Sequence, residues 1–290
     1  MTQLAFALLW LPAAQTAGAD FERAMEGRRG TVVAVEVESG RLLGAHRLDI
    51  AARRLARPGS AVKPFSLLAL LNGRRAGYGT TWFCQRRLDI GPRRFDCTHP
   101  HTPLPLESGA ALAYSCNTFF AHFASALLPS ELSETFVRVG LTSRTGLASI
   151  EAAGAARPAR TEEERQLQAL GEAGIEVTPL GLLNAYRKLA QRRLLPEPID
   201  FDTGMIYRGL DEATQYGTAR LASPDGIRVA GKTGTASALG RAPPTAWFAG
   251  WMPAEQPRVV IVVMIEGGRG GADAAPVARR VIEALASAAK

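Results

Sequence analysis

The stretch RPGSAVKPF, residues 57–65, places a serine and a lysine one helical turn apart at the predicted start of a helix. Ser60 and Lys63 therefore lie on the same helix face. Pro64 has no backbone N–H, which a helix tolerates in its first turn, so Ser60 is predicted at or next to the N-cap. Free N–H groups and the helix dipole favour negative charge there. A hydroxyl with an amine one turn away predicts an activated nucleophile. The plain alternative is a capping serine followed by a surface lysine.

Two later motifs supply the other groups that such a nucleophile needs. Ser115 and Asn117 stand in YSCN, within a predicted helical region, and Lys232 begins the run KTGT on a predicted strand. A hydroxyl and an amide can relay a proton and hydrogen-bond a substrate. A lysine keeps a pocket positive, which suits a substrate that ends in a carboxylate. Taken singly, each residue has a structural alternative as a cap, a helix surface residue or a strand-edge residue.

Strand patterns at both ends of the chain predict the sheet that positions these motifs. GTVVAVEVESGRLLGAH, residues 30–46, predicts two strands after a helix over Asp20–Met25. GIRVAGKTGTA, TAWFAGWM and RVVIVVMIEG predict three more strands, followed by a C-terminal helix. We therefore expect an α+β fold, in which one antiparallel sheet built from both chain ends is flanked by helices. The central helices are expected to form an all-α lobe over about residues 64–200.

Two polar stretches between these elements carry weaker signals. LASIEAAGAARPARTEEERQ is expected to be a surface loop. LPEPIDFDTG is expected to be a linker before a helix near Asp211–Ala222. VTPLGLLNAYRKLAQRR is predicted to be a helix with Thr178 as its N-cap and Pro179 in its first position.

The order S-x-x-K, S-x-N, K-T-G is similar to the motif set of penicillin-binding proteins and serine β-lactamases. RPGSAVKPF, ALAYSCNTFF, VTPLGLLNAY, GKTGTA, TAWFAGWMP and VVIVVMIEGG resemble the transpeptidase domain of penicillin-binding proteins. The resemblance extends over about residues 20–290. It implies a β-lactamase/transpeptidase-like fold for that whole region, as one penicillin-binding transpeptidase domain.

The resemblance also implies catalytic roles for five residues. Ser60 would be the nucleophile that forms an acyl-enzyme, and Lys63 the base that accepts its proton. Ser115 would relay the proton to the leaving amine. Asn117 would hydrogen-bond the substrate and Lys63, and Lys232 would keep the pocket positive.

Three further residues are implied in substrate binding. Thr233 and Thr235 would offer hydroxyls to the substrate carboxylate, and Gly234 would let the substrate lie close against the strand. The backbone N–H groups of Ser60 and Thr235 would form the oxyanion hole.

The implied function is acyl transfer from D-Ala-D-Ala-like stem peptides of peptidoglycan, with β-lactam antibiotics as covalent ligands. Other cell-wall synthesis proteins are candidate partners. Transfer to an amine would make the protein a D,D-transpeptidase, and transfer to water a D,D-carboxypeptidase or a β-lactamase. No E-x-x-L-N motif of the kind that class A β-lactamases use to activate water follows Ser115, which favours the transpeptidase. A carboxylated Lys63, as in class D β-lactamases, and a non-catalytic β-lactam sensor or binding module stay as alternatives.

The amino-acid composition indicates the cellular setting and the class of partner that the chain suits. The 290 residues are 47% apolar, enough for a sizeable core, and carry a net charge of +7 with a pI of about 9.8. Such charge fits an anionic setting such as a bacterial envelope. No basic stripe is interleaved with aromatic residues, so nucleic acid is not an expected partner. Lysine occurs only at positions 63, 188, 232 and 290, so each interior lysine stands out against the arginine background.

The first nineteen residues are predicted to be a signal peptide or short leader. The apolar run LAFALLWL is too short to span a bilayer, and Ala17-Gly18-Ala19 resembles a cleavage site before Asp20. The first basic residue is Arg23, so the usual positive n-region is missing, and a helix belonging to the domain is the alternative. We expect an extracytoplasmic protein, in the periplasm or on the outer face of the cytoplasmic membrane, with membrane attachment left open.

The three cysteines predict one disulfide. Cys84 and Cys97 bracket QRRLDIGPRRFD, which is typical of two short strands around a Gly-Pro turn. If the hairpin closes in an oxidising compartment, these two cysteines are expected to pair, leaving Cys116 free. Neither Cys-x-x-Cys nor H-E-x-x-H spacing occurs, so no metal and no cofactor are expected.

Overall fold

The computed structural model describes residues 14–237 and 243–288. Its helices are α1 (Ala14–Met25), α2 (Leu48–Arg53), α3 (Lys63–Asn72), α4 (Ser108–Ala113), α5 (Asn117–Ser125), α6 (Glu131–Arg138), α7 (Glu162–Ala169), α8 (Pro179–Leu194), α9 (Phe201–Gln215) and α10 (Ala275–Ala288). Its strands are β1 (Gly30–Glu36), β2 (Leu42–His46), β3 (Thr81–Trp82), β4 (Asp89–Ile90), β5 (Arg93–Arg94), β6 (Leu106–Glu107), β7 (Ala155–Ala156), β8 (Ile175–Glu176), β9 (Ala230–Ala236), β10 (Thr245–Met252) and β11 (Val259–Glu266).

The predicted leader falls mostly outside the described residues, because the description begins at residue 14. Helix α1 runs across the predicted cleavage point before Asp20. Among the helices that are described, none is both long enough and apolar enough to cross a membrane.

One five-stranded antiparallel sheet forms the centre of the fold, with the strand order β2-β1-β11-β10-β9. Val33 of β1 lies opposite Val262 of β11, so the two ends of the chain meet in the middle of the sheet. Phe248 of β10 lies opposite Thr233 of β9, which is an edge strand. The predicted mixed α+β fold with a sheet from both chain ends is therefore confirmed, and KTG lies on the edge strand β9.

Helices cover both faces of this sheet. On one face α1 and α10 bury apolar side chains such as Phe21 and Val281 against the sheet. On the other face α8 packs Tyr186 near Trp251, with ring centroids 6.4 Å apart. The Tyr186 hydroxyl also donates to Ala61 O at 2.8 Å, just beyond Ser60. The same helix that closes the core therefore supports the turn that carries the predicted nucleophile.

The central region is less separate and less purely helical than predicted. One buried apolar cluster runs from Val33 and Trp247 in the sheet to Phe119 and Phe136 in the helices. Three two-residue ladders, β3–β6, β4–β5 and β7–β8, also lie within the region expected to be all-α. Such short ladders satisfy backbone groups in loops that cross the helix layer, and alternation over two residues gives no sequence signal.

Two helices begin in stretches that were expected to be loop or linker. Thr161 Oγ1 accepts from Glu164 N at 3.2 Å and caps α7 inside the expected surface loop. Asp200 Oδ1 accepts from Thr203 N at 2.8 Å, so α9 starts ahead of the predicted helix near Asp211–Ala222. Both are ordinary N-caps, hidden in the sequence by neighbouring proline and glycine. The predicted cap at Thr178 is confirmed, because its Oγ1 accepts from Gly181 N at 3.0 Å.

Candidate active site

Ser60 lies in a 3₁₀ turn, Gly59–Val62, that runs directly into α3. Gly59 has φ +51° and its N–H donates to Gly171 O at 3.0 Å. A Cβ at Gly59 would lie 2.6 Å from Thr235 O, so only glycine permits this approach to β9. The predicted nucleophile is therefore held between the edge strand and a neighbouring loop, next to the helix start where the sequence predicts it.

Lys63 is fully buried one turn after Ser60. Its Nζ donates to Ser115 O at 2.8 Å, to Ser115 Oγ at 3.2 Å and to Asn117 Oδ1 at 2.6 Å. Burial lowers the pKa of Lys63 to about 8. A lysine with this pKa can hold or release its proton near neutral pH, as proton transfer requires.

Ser115 lies on the turn between α4 and α5, rather than inside a helix as expected, and has φ +58°. A serine seldom adopts this left-handed conformation, and it persists where the surroundings enforce it, often at functional sites. Asn117 begins α5, and its Nδ2 donates to Phe95 O at 3.0 Å and to Asp96 O at 3.3 Å. The Asn117 amide therefore connects Lys63 to the loop after β5.

Lys232 is the second fully buried lysine, on β9. Its Nζ donates to Thr233 O at 3.0 Å and to Thr218 Oγ1 at 3.3 Å. Burial, followed by the nearby charge of Lys63, holds the pKa of Lys232 well below its ordinary value. The Oγ1 atoms of Thr233 and Thr218 lie 2.9 Å apart. Thr218 belongs to none of the three motifs and was not predicted from the sequence.

Gly234 has a close neighbour that was not predicted from the sequence. A Cβ at this position would lie 2.5 Å from Pro58 O and 2.7 Å from Ala61 N. The absent side chain therefore makes room for the turn that carries Ser60. Gly234 also lines the cleft, and its expected close approach to substrate stays a prediction. Thr235 is exposed beside it, and its Oγ1 accepts from Gly270 N at 3.0 Å.

A cleft of about 550 Å³ opens in front of Ser60. Six of the eight predicted site residues line it, and the side chains of Lys63 and Lys232 are buried beneath it. Residues that were assigned no role from the sequence also line it: Asp96, His99, Tyr114, Tyr216, Arg220 and Arg269. Neither buried lysine forms an ion pair with any described residue. The rim arginines, Arg220 and Arg269, therefore suit an anionic ligand.

Glu172 is a buried carboxylate near the nucleophile that was likewise not predicted. It forms ion pairs with Arg57 and Arg93, and its Oε1 accepts from Ser237 N at 2.9 Å. Arg57 Nη1 also donates to Glu172 O at 2.6 Å. These contacts tie the segment before Ser60 to the loop after α7, and they occupy both carboxylate oxygens.

The cysteine hairpin forms, but the predicted disulfide does not. Ile90 lies opposite Arg93, and the ladder continues until Cys97 N donates to Arg86 O at 2.8 Å. This register places Cys97 opposite Arg86, so Cys84 is only its diagonal neighbour. All three cysteines are free, and Cys97 Sγ lies 3.8 Å from the Sγ of Cys116, the residue expected to stand alone.

Comparison with known proteins agrees with this geometry. Residues 30–283 match the family model described as the penicillin binding protein transpeptidase domain. The chain belongs to this family. Its resemblance to penicillin-binding proteins, expected from the three motifs, is thereby confirmed.

Two curated members of the family illustrate the likeness. The probable peptidoglycan D,D-transpeptidase PenA of Neisseria flavescens is 26% identical over 304 residues, which cover 89% of this chain and 75% of PenA. The peptidoglycan D,D-transpeptidase PbpA of Mycobacterium tuberculosis is 43% identical over 68 residues. That match covers 20% of this chain and only 14% of PbpA.

Solved structures of penicillin-binding proteins share the fold. Pseudomonas aeruginosa PBP2, solved in complex with WCK 5153, aligns with a TM-score of 0.78 at 21% identity, over 92% of this chain and 76% of PBP2. The D,D-transpeptidase domain of a peptidoglycan glycosyltransferase from Eggerthella lenta aligns with a TM-score of 0.78 at 20% identity, over 94% of this chain and 81% of that one.

Proposed function

We propose that this family member is a peptidoglycan D,D-transpeptidase that forms an acyl-enzyme on Ser60 and binds penicillins covalently at the same atom. One observation carries the proposal. A fully buried lysine, one turn from a serine at a helix start, is hydrogen-bonded to both the serine and the asparagine of the S-x-N motif. A structural lysine on a helix surface would be solvated and would have no such partners.

Acylation follows from these positions. Ser60 Oγ attacks the carbonyl carbon of the penultimate residue of a stem peptide, while the neutral amine of Lys63 accepts the hydroxyl proton. The backbone N–H groups of Ser60 and Thr235 donate hydrogen bonds that stabilise the negative charge developing on the carbonyl oxygen. Ser115, hydrogen-bonded to Lys63, passes a proton to the leaving amine. The C–N bond breaks, and the terminal amino acid leaves.

The buried lysines and the threonines of β9 account for a substrate that ends in a carboxylate. Lys232 lies beneath the cleft without entering it, and a carboxylate bound above it would favour its protonated, positively charged form. Thr233 and Thr235 line the cleft and offer hydroxyls to the carboxylate. The same arrangement accepts the carboxylate of a penicillin, whose strained amide takes the place of the peptide bond.

The acyl group is then transferred to an amine rather than to water. Hydrolysis requires a base that holds and deprotonates a water molecule. Glu172 is the buried carboxylate near Ser60, and its oxygens are already engaged by Arg57, Arg93 and Ser237 N. This engagement favours a transpeptidase over a β-lactamase that activates water through a glutamate.

The proposed reaction sets the location and the partners. Peptidoglycan lies outside the cytoplasmic membrane, so we place the protein in the periplasm or on the outer face of the cytoplasmic membrane, as expected from the leader. Stem peptides are its substrates, β-lactam antibiotics its covalent inhibitors, and cell-wall synthesis proteins its candidate partners.

The proposal is tested by intact-protein mass spectrometry after incubation with benzylpenicillin, followed by peptide mapping. Wild-type protein should gain the full mass of the drug, on Ser60. The Ser60→Ala variant should gain nothing, whereas Ser39→Ala, which removes an exposed serine from the β1–β2 turn, should react like wild type. An adduct on another residue would refute the assignment of the nucleophile.

A further inference from the structure

Four side chains that the proposed reaction does not use converge beside the S-x-N motif. The ligand atoms of Cys84, Cys97, His99 and Cys116 all lie within 4.8 Å of one another. Cys97, His99 and Cys116 are buried, and Cys84 is half-buried. Two sulfurs bound to one tetrahedral zinc at about 2.3 Å each lie about 3.8 Å apart. The Sγ atoms of Cys97 and Cys116 lie 3.8 Å apart.

The hydrogen bonding of the His99 ring leaves one nitrogen available to a metal. Its Nδ1 lies 2.8 Å from Pro100 O, and a carbonyl can only accept, so Nδ1 carries the proton. The lone pair is then on Nε2, which is buried and has no hydrogen-bond partner among the described residues. A buried nitrogen without a partner is costly, whereas a histidine that donates one N–H to a backbone carbonyl and offers the other nitrogen to a metal is common.

Each of the three sulfur atoms is in hydrogen-bonding contact with a backbone N–H or a hydroxyl group. Asn117 N donates to Cys97 Sγ at 3.1 Å, and Arg86 N donates to Cys84 Sγ at 3.4 Å. Thr118 Oγ1 lies 3.3 Å from Cys116 Sγ and donates to Cys84 Sγ at 3.5 Å. Such outer contacts orient the ligands of a metal site and stabilise thiolates.

We propose that Cys84, Cys97, His99 and Cys116 bind one Zn²⁺ ion. Three thiolates and one imidazole form a soft, closed, four-coordinate set of the kind that structural zinc sites use. Binding releases the protons of the three thiols, and no position is left open for a catalytic water. This inference departs from the expectation of no metal, which rested on the absence of two familiar spacings.

The ion would act as a positioning element for the active site. Cys116 lies between Ser115, on the turn after α4, and Asn117, the first residue of α5, so one ligand would fix the positions of both. Cys97 and His99 fix the loop after β5, and His99 itself lines the cleft. One ion would therefore join the start of α5 to the wall of the cleft.

The test is metal content in the full chain, expressed with zinc supplied and purified under reducing conditions without chelator. Elemental analysis and native mass spectrometry should find one zinc per chain. Replacement by Co²⁺ should give the near-ultraviolet thiolate-to-cobalt absorption and the visible bands of a tetrahedral site. Cys84→Ser, which changes the least buried ligand, should weaken binding more than about 100-fold, since losing even an outer contact costs about 10- to 100-fold. His101→Gln, on an exposed histidine two residues beyond His99, should bind like wild type.

A second measurement on the unmodified protein covers the case in which Cys84→Ser fails to fold. Titration of wild-type thiols with an organomercurial should release the zinc in step with thiol modification. The proposal is overturned if wild-type protein binds neither zinc nor cobalt through thiolates, or if its cysteines are found in a disulfide. Metal stoichiometry is read without any acyl-transfer assay, so its outcome is separate from that of the proposed function.

Discussion

Lys63 Nζ and Asn117 Oδ1 lie 2.6 Å apart, although the two residues belong to helices separated in sequence by the whole cysteine hairpin. The same amine is 3.2 Å from Ser115 Oγ. These contacts join the first motif to the second inside the protein, where burial lowers the pKa of the amine to about 8. The proton acceptor and the proton relay are therefore already connected before any substrate binds.

Replacing Lys63 with arginine should abolish most acylation. Lys63→Arg keeps the positive charge but loses the base, because a guanidinium holds its proton. We expect penicillin acylation to slow by on the order of a hundredfold or more, the usual cost of losing a general base. The acylation rate is measured by labelling with a fluorescent penicillin, with samples quenched at a series of times. Lys188→Arg, on the exposed surface of α8, is the matched control and should react normally. Near-normal labelling of Lys63→Arg would show that Lys63 serves only as a charge.

Acylation should also depend on pH through Lys63. Because the lowered pKa is about 8, about a tenth of the amine is neutral at pH 7 and about nine tenths at pH 9. The reactive form is the neutral amine, so the rate should rise about tenfold over this interval and then level off. The measurement is the same labelling rate in a series of buffers at constant ionic strength. A flat profile, or a rate that falls with rising pH, would contradict the role of Lys63 as base.

The sheet and the positions of the three motifs in the fold could be predicted from the sequence, because both depend on strong local signals. Val259–Glu266 is an apolar run too short for a buried helix and long enough for a central strand, and β11 is that strand. The helix start at Ser60, Lys63 and Pro64 was predictable because a helix N-terminus is defined by a few neighbouring residues. Gly234 was predicted to permit a close approach of substrate, and the structure adds a close approach of the Ser60 turn that the sequence did not predict.

The remaining features arise from contacts distant in sequence. Thr218 and Glu172 belong to no motif, and their partners come from strands and loops far along the chain. The predicted disulfide was wrong because the strand register of the β4–β5 hairpin places Cys97 opposite Arg86 and not opposite Cys84. A two-residue turn at Gly91-Pro92 fixes which residues face each other, and it sets Cys84 opposite His99 when the ladder is continued. Counting residues outward from that turn would have predicted this register from the sequence alone. Together with the short Cys97-x-His99 spacing, it would have indicated that Cys84 and His99 lie close together.

Adding a methyl group at Gly234 should disturb the nucleophile. A Cβ there meets backbone atoms of Pro58 and Ala61, which cannot yield as a side chain can. Gly234→Ala should destabilise the fold by about 1–3 kcal/mol, as overpacking does. It should also slow acylation by about a hundredfold if the Ser60 turn moves by about 1 Å. Thermal unfolding and penicillin labelling measure the two effects.

A glycine in open space provides the control for this substitution. Gly204 lies on α9, where an added Cβ would have nothing within 4 Å. Gly204→Ala should leave acylation unchanged and raise stability by up to about 1 kcal/mol, since alanine favours a helix. Equal effects of the two substitutions would show that the close approach at Gly234 does not matter.

The penicilloyl adduct should be long-lived. Glu172 is held by two arginines, and Asp96, the carboxylate among the described residues that line the cleft, is paired with Arg94, so the adduct should persist for minutes or longer. Penicillin turnover should then stay far below about 1 per second, the low end of typical enzyme rates. The decay of the Ser60 adduct is followed by mass spectrometry after removal of drug, with and without bicarbonate. Bicarbonate is included because it would restore a carboxylated Lys63. Fast decay in either condition would identify a β-lactamase.

Product partition decides whether Ser60 passes its acyl group to an amine. The protein is given a thioester analogue of an acyl-D-alanine donor and increasing concentrations of a D-amino acid, and the products are separated by chromatography. The aminolysis product should grow with D-amino acid at the expense of the hydrolysis product, and Ser60→Ala should form neither. Hydrolysis alone at every amine concentration would contradict transfer to an amine.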